Sequence, residues 1–194
     1  MFYSTKSLSS TLRRTETRSE RTEKKIINKQ VKIFDNIEIA TINFAMEDNV
    51  AFIVRAAACF GCSAVNVIGS LPPRNVLKKK SGSCQDFVKI NQFSNPTAFL
   101  KYSRENNIFL ISAELDEDAE SIHHYIFPIE RKICVILGNE SFGISSEILL
   151  NSHCLLKIPM PGPGFNLNTS VAGSIILYEL SKQIFSLTTS LIIE

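Results

Sequence analysis

No stretch of this sequence is apolar for long enough to cross a bilayer. The longest runs, IFLISA (108–113) and ICVILG (133–138), fall far short of the ~20 residues a spanning helix needs. The N-terminus lacks the apolar core of a secretory signal. It is rich in Ser, Thr and Arg, as a transit peptide is, but Glu16, Glu20 and Glu23 argue against that reading. Phosphate-loop motifs are missing too. Neither GxxxxGK[ST] nor GxGxxG occurs, which removes the commonest nucleotide sites. There is no internal repeat, and no low-complexity segment beyond the first thirty residues.

Cysteine is sparse. Five residues (Cys59, Cys62, Cys84, Cys134, Cys154) form an odd, scattered set, as expected for reduced thiols in a cytoplasmic protein. Cys59-x-x-Cys62 has metal or redox spacing, but no second CxxC and no nearby His accompany it. The plainer reading puts one Cys on a helix face and the other after the Gly61 stop. His123 and His124 are adjacent, do not share a helix face, and lack a third ligand. No metal site is expected.

What remains is a chain of 194 residues, 44% hydrophobic and 21% charged, enough for one globular domain with a sizeable core. Its charge is unevenly spread. Residues 1–32 hold nine Lys and Arg against three Glu, a balance of +6; the remainder carries twelve cations and sixteen anions, a balance of −4. A basic arm over 1–32 on a mildly acidic domain over 33–194 fits either a polyanionic partner or a solvated tail. Residues 13–25 suit a charged helix without an apolar stripe.

The domain reads as alternating strands and helices. A β-rich run over 31–44 holds Ile37, Ile39 and Ile42. A helix follows over 49–60, capped by Asp48 or a neighbour and stopped at Gly61. It is apolar on more than one face, so Arg55 in its middle must snorkel, pair or serve a site. With the strand 64–69 this makes a βαβ unit and a parallel sheet. Residues 70–85 read as a loop carrying Arg74, Lys78, Lys79 and Lys80. It lies at the C-terminal sheet edge, where open α/β sheets bind ligands, and the cations favour phosphate contact. A small strand is expected over 86–93, a helix from Asn95-Pro96 to 106, a strand over 108–113, then an acidic turn over 114–120. Further strands span 133–137 and 155–159, and the last helix runs from about 168 to 185.

Two loops of unusual composition follow the last two strands. Gly138-Asn139-Glu140-Ser141-Phe142-Gly143 has glycines at both ends, which allow sharp turns and close approach to a ligand. Glu140 there either orients a partner or sits in a surface turn. Residues 158–164 (IPMPGPG) cannot be regular structure. They lead into Asn166-Leu167-Asn168, where Asn168 suits a helix N-cap or a ligand contact.

Three segments, in this order, resemble the three motifs of the SpoU (TrmH-like) branch of the SPOUT RNA 2′-O-ribose methyltransferases. They are NVAFIVR (49–55) followed by Phe60-Gly61, LGNESFGIS (137–145), and IPMPG (158–162) with NLNTSVA (166–172). The Lys-rich loop ending Ser81-Gly82-Ser83 resembles a family loop on the RNA side. The resemblance covers about residues 37–185. It implies an α/β, three-layer, parallel-sheet SPOUT fold with a C-terminal trefoil knot, and a homodimer whose sites are completed across the interface. It also implies S-adenosylmethionine (SAM) bound by Leu137, Gly138, Asn139, Ile158, Met160 and Leu167. Carried over residue by residue, Arg55 lies at the target 2′-hydroxyl, Asn49 positions it, and Glu140 and Asn168 hold the site geometry. Arg74, Lys78, Lys79 and Lys80 meet RNA. A guanidinium is a poor base, so Arg55 either takes the proton or orients ribose and phosphate. The family commonly has Ser where this chain has Asn166. The expected activity is SAM-dependent methyl transfer to a ribose 2′-hydroxyl, with a catalytically inactive RNA-binding module as the alternative. The short basic arm leaves no room for a separate N-terminal RNA-binding domain, and so favours tRNA over rRNA.

Overall fold

The structure, a computed structural model, describes residues 34–43 and 45–190 (backbone only for 187–190), together with Thr17, Glu20 and Glu23. The chain divides into two compact units, Met1–Lys32 and Ile33–Glu194. Most of the basic arm, the helix expected over 13–25, and both ends of the first expected strand lie outside the described residues.

The described residues form seven strands, most of them rich in apolar side chains. These are β1 (Phe34–Ile42), β2 (Cys62–Ile68), β3 (Lys89–Phe93), β4 (Phe109–Ala113), β5 (Glu120–Ser121), β6 (Ile133–Leu137) and β7 (Cys154–Lys157). They form one sheet in the order β3-β2-β1-β6-β4-β7-β5, and every pairing is parallel. A parallel sheet must be covered on both faces, and β6 shows how. Ile133, Val135 and Leu137 face one apolar layer, while Cys134 and Ile136 face the other. The first layer is closed by α1 (Glu47–Cys59) and α5 (Thr169–Ser190), with Leu77 of α2 (Arg74–Ser81). The second is closed by α3 (Pro96–Glu105) and α4 (Ser146–Leu149). The result is the three-layer α/β arrangement expected.

Helix boundaries follow local chemistry. α1 buries Val50, Ala51, Ile53, Val54 and Ala57 and exposes Phe52, Arg55 and Cys59. Its N-cap is Met46 rather than Asp48, and Gly61 follows its end at φ 76°, a left-handed conformation that glycine adopts without cost. Cys59 is therefore exposed at the helix end and Cys62 buried at the start of β2, where burial pushes its thiol up to about 12. α3 starts as its sequence dictates: Asn95 Oδ1 accepts from the Ala98 N–H at 2.9 Å, with Pro96 at the first position.

The loop expected over 70–85 is corrected. Its middle forms α2, which starts after Pro73 and ends at Gly82 in the left-handed conformation (φ 63°). The proline pair reads as a breaker, but Pro73 only precedes the helix, and Leu-Lys-Lys-Lys are good helix formers. Strand β5 is a second departure: the acidic turn ends by pairing Glu120 and Ser121 with Leu156 and Lys157.

Below the sheet edge, Glu38 is buried on β1. It accepts from Asn66 Nδ2 at 2.6 Å and Tyr102 Oη at 2.9 Å, and pairs with Lys132 Nζ at 2.7 Å. Asn91 donates in turn to Asn66 Oδ1 at 2.9 Å. The network stitches β1, β2, β3 and α3 together, and leaving one of its buried polar groups unsatisfied costs about 1–3 kcal/mol.

Candidate active site

The C-terminal ends of β4, β6 and β7 open into a cleft of about 220 Å³. All six residues expected to hold a cofactor line it: Leu137, Gly138, Asn139, Ile158, Met160 and Leu167. Glu140 and Asn166 line it as well. The loop after β6 is shaped by its own hydrogen bonds. Asn139 and Gly143 exchange N–H···O bonds at 2.9 Å each, and Asn139 Oδ1 accepts from the N–H groups of Ser141 (2.8 Å) and Phe142 (3.1 Å). Asn139 Nδ2 donates to the carbonyl of Asn43, tying this loop to the one after β1. Glycine is required at 138, because a Cβ there would lie 2.5 Å from the Gly143 carbonyl carbon. Asn139 is thus a builder of the loop as well as a wall of the cleft.

Beside the cleft, side chains from three distant segments meet. Asn49 is buried on the first turn of α1, and its Nδ2 donates to Glu140 Oε1 at 2.6 Å. Its Oδ1 accepts from Asn168 Nδ2 at 3.2 Å and from Ser170 Oγ at 3.4 Å. Glu140 Oε2 accepts from the Ala45 N–H at 2.9 Å. Burial pushes the Glu140 carboxyl up, but the bonds from Asn49 and the Ala45 backbone outweigh it and leave the group below the usual carboxylate range. Asn168 caps α5: its Oδ1 accepts from Ser170 N (2.9 Å), Ser170 Oγ (2.6 Å) and Val171 N (3.3 Å). Helix-capping and site-building are one role for this residue. Ser170, which completes the cluster, carries no signal in the sequence beyond its place in the motif.

Arg55 stands apart. It is exposed on α1 and has no hydrogen-bond or ion-pair partner among the described residues, and it does not line the cleft. Of the expected RNA-side cations, Arg74, Lys78 and Lys79 are exposed on α2. Lys80 is held at 2.6 Å by Asp48 of α1, which ties α2 to α1. Sequence reasoning also missed Glu114, Lys157 and Thr169, which line the cleft. Their signal is positional: Glu114 directly follows β4 and Lys157 ends β7, both at the ligand-binding edge. Among the described residues no group of His, Cys, Asp or Glu is placed to hold a metal ion, and no helix is long and apolar enough to cross a membrane.

The donor set of the cleft fits SAM. Leu137, Ile158, Met160 and Leu167 offer apolar wall to an adenine ring, and Gly138 leaves backbone groups within reach of a ligand. Asn139, Asn166 and Thr169 suit its polar parts.

Residues 36–178 match the profile of the SpoU rRNA Methylase family. The tRNA (guanosine(18)-2′-O)-methyltransferase of Thermus thermophilus is 27% identical over 173 residues, covering 88% of this chain and 84% of that one. The A. aeolicus TrmH/SpoU tRNA modifying enzyme superposes with a TM-score of 0.73 at 22% identity, covering 87% of this chain and 85% of that one. The SpoU methyltransferase AviRb from Streptomyces viridochromogenes, in complex with the cofactor AdoMet, gives 0.70 at 19% identity, covering 81% and 64%.

Proposed function

We infer, from the premise that this chain belongs to the SpoU rRNA Methylase family, that it transfers the methyl group of SAM to a ribose 2′-hydroxyl of RNA, and that tRNA is its substrate. The observation that carries this reading is the hydrogen-bonded set Glu140–Asn49–Asn168 beside the cleft. Three motif segments far apart in sequence converge there on one point. When bound, SAM supplies a methyl group activated by its positive sulfur. Leu137, Gly138, Ile158, Met160 and Leu167 would hold it, with Asn139 shaping the loop around it.

The rest of the reaction is alignment and proton removal at a weakly acidic alcohol. Asn49, fixed by Glu140 and Asn168, holds the start of α1, and α1 carries Arg55. A guanidinium stays charged and offers a planar fork of donors, so we assign Arg55 to orienting the ribose and its phosphate. Its lack of a partner among the described residues supports that role. Arg74, Lys78 and Lys79 meet phosphates further along the RNA, a role that their exposure on α2 supports. Lys80 contributes by bracing α2 on Asp48.

Two features complete the proposal. The face of α1 and α5 that exposes Phe52, Val171, Ile175 and Tyr178 is apolar, and a second copy of the chain covers it in a homodimer. Arg55 lies on that face of α1, and docking brings it to the partner's cleft. The C-terminal trefoil knot belongs to the same reading. It is supported by β7 running between β4 and β5 and by α5 returning over Ile39, Ile53 and Leu137. The odd, scattered set of five cysteines supports a cytoplasmic setting. The test is incubation with methyl-labelled SAM and unmodified tRNA or rRNA. Label entering tRNA supports the proposal; label entering only rRNA overturns the substrate assignment.

A further inference from the structure

The cleft contains three charged residues, and only one of them is left open to a ligand. Glu140 is turned to Asn49 and the Ala45 N–H. Lys157 lines the cleft, but its Nζ donates to the carbonyls of Asp116 and Glu117 at 2.8 Å each, clamping the acidic turn to the end of β7. Glu114 has no cation partner among the described residues. Its Oε1 accepts only from the Leu115 N–H (3.2 Å) and its Oε2 only from the Ile144 N–H (3.3 Å), both long. A Cβ on Gly143 would lie 3.1 Å from Glu114 Oε2, so the carboxylate rests directly against the loop after β6. A half-buried carboxylate in a cleft with low-dielectric walls, and with no ammonium paired to it among the described residues, is a site for positive charge.

The proposed reaction changes the charge of its own cofactor. SAM carries a fixed positive sulfonium, whereas its product, S-adenosylhomocysteine, has lost that charge with the methyl group. We propose that Glu114 is the residue by which this cleft prefers the charged methyl donor over the demethylated product, so that product leaves once the methyl has gone. The proposal rests on the methyltransferase reading and adds a specificity-determining residue to it. The Ile144 N–H holds one carboxylate oxygen against the loop after β6, and Lys157, turned to two backbone carbonyls, forms no ion pair with it.

Calorimetric titration of the purified full chain with SAM and, separately, with S-adenosylhomocysteine tests it. The wild type should bind SAM more tightly than the product. Glu114→Gln keeps the shape and an acceptor for the Ile144 N–H. It should weaken SAM by about tenfold while moving the product by less than about twofold. Glu114→Asp, which keeps the charge, should retain a preference for SAM. In the wild type alone, raising salt from about 50 mM to about 500 mM should weaken SAM and spare the product, since screening acts only on the charge term. Equal loss for both ligands in Glu114→Gln, or no loss for either, overturns the proposal. So does a salt response shared by both ligands. A wild type that binds neither ligand overturns the methyltransferase reading itself, and this proposal with it.

Discussion

Asn49 uses both ends of its amide. Nδ2 reaches Glu140 in the loop after β6, and Oδ1 takes Asn168 and Ser170 at the start of α5. One buried side chain thus fixes the start of α1 against both loops of the cleft. Arg55, six residues along the same helix, is left without a partner among the described residues. Arg55→Ala should therefore reduce methyl transfer by at least about a hundredfold, the scale of losing one transition-state contact, while SAM affinity by calorimetry stays within about twofold of wild type. Retained transfer would remove Arg55 from the reaction. Glu140 makes a pH prediction. Its folded-state carboxyl titrates below the ~4.3 of an unfolded glutamate. Its contribution is therefore complete above that value and is lost as pH falls through the lower, folded value. In urea denaturation, the advantage of the wild type over Glu140→Gln should hold from pH 7 to about 5 and shrink below about 4. That Asn49, Glu140 and Asn168 would meet was legible in the sequence, because Asn49 and Asn168 are polar residues at loop–helix junctions, Glu140 lies in a glycine-bounded loop after a strand, and each belongs to a recognisable motif. Glu114 was not, because an acid in an acidic turn reads as solvated surface until β4 places it at the cleft.

The loops matter as elements because their backbones, more than their side chains, shape the cleft. Gly138 shows this most plainly. Adding a methyl group there puts Cβ 2.5 Å from the Gly143 carbonyl carbon and 2.7 Å from the Ile144 nitrogen, both backbone atoms that cannot rotate away. Gly138→Ala should force the loop outward, weakening SAM by more than about tenfold and costing about 1–3 kcal/mol of stability. Calorimetry and urea midpoints read these two effects separately. Long strands and helices such as β6 and α1 were legible because apolar periodicity and a C′ glycine act over several residues. α2 was misread because two prolines and a glycine bracket only eight helical residues, and those signals look alike whether they interrupt a loop or frame a helix. β5 is two residues long and exists only through pairing with β7, so no local pattern encodes it.

At the scale of the whole molecule, one chain presents the proposed cofactor cleft while Arg55, proposed to act on the ribose, lies outside it. The apolar stripe Val171, Ile175 and Tyr178 on α5, beside Phe52 and Arg55 on α1, is the proposed meeting face of two copies. Ile175→Glu should convert a dimer to a monomer by light scattering. It should cut methyl transfer by more than about tenfold while far-UV circular dichroism is unchanged, since a buried unpaired charge opposes association and leaves the protomer core intact. A variant that stays dimeric, or a monomer that transfers methyl at the wild-type rate, would contradict the shared site. The central claim is that the ribose receives the methyl group, and alkaline hydrolysis of RNA labelled by this enzyme tests it most directly. A methyl on the 2′-oxygen blocks cleavage of the next phosphodiester. The account therefore predicts label in alkali-stable dinucleotides; label released in mononucleotides, as from a methylated base, would contradict it.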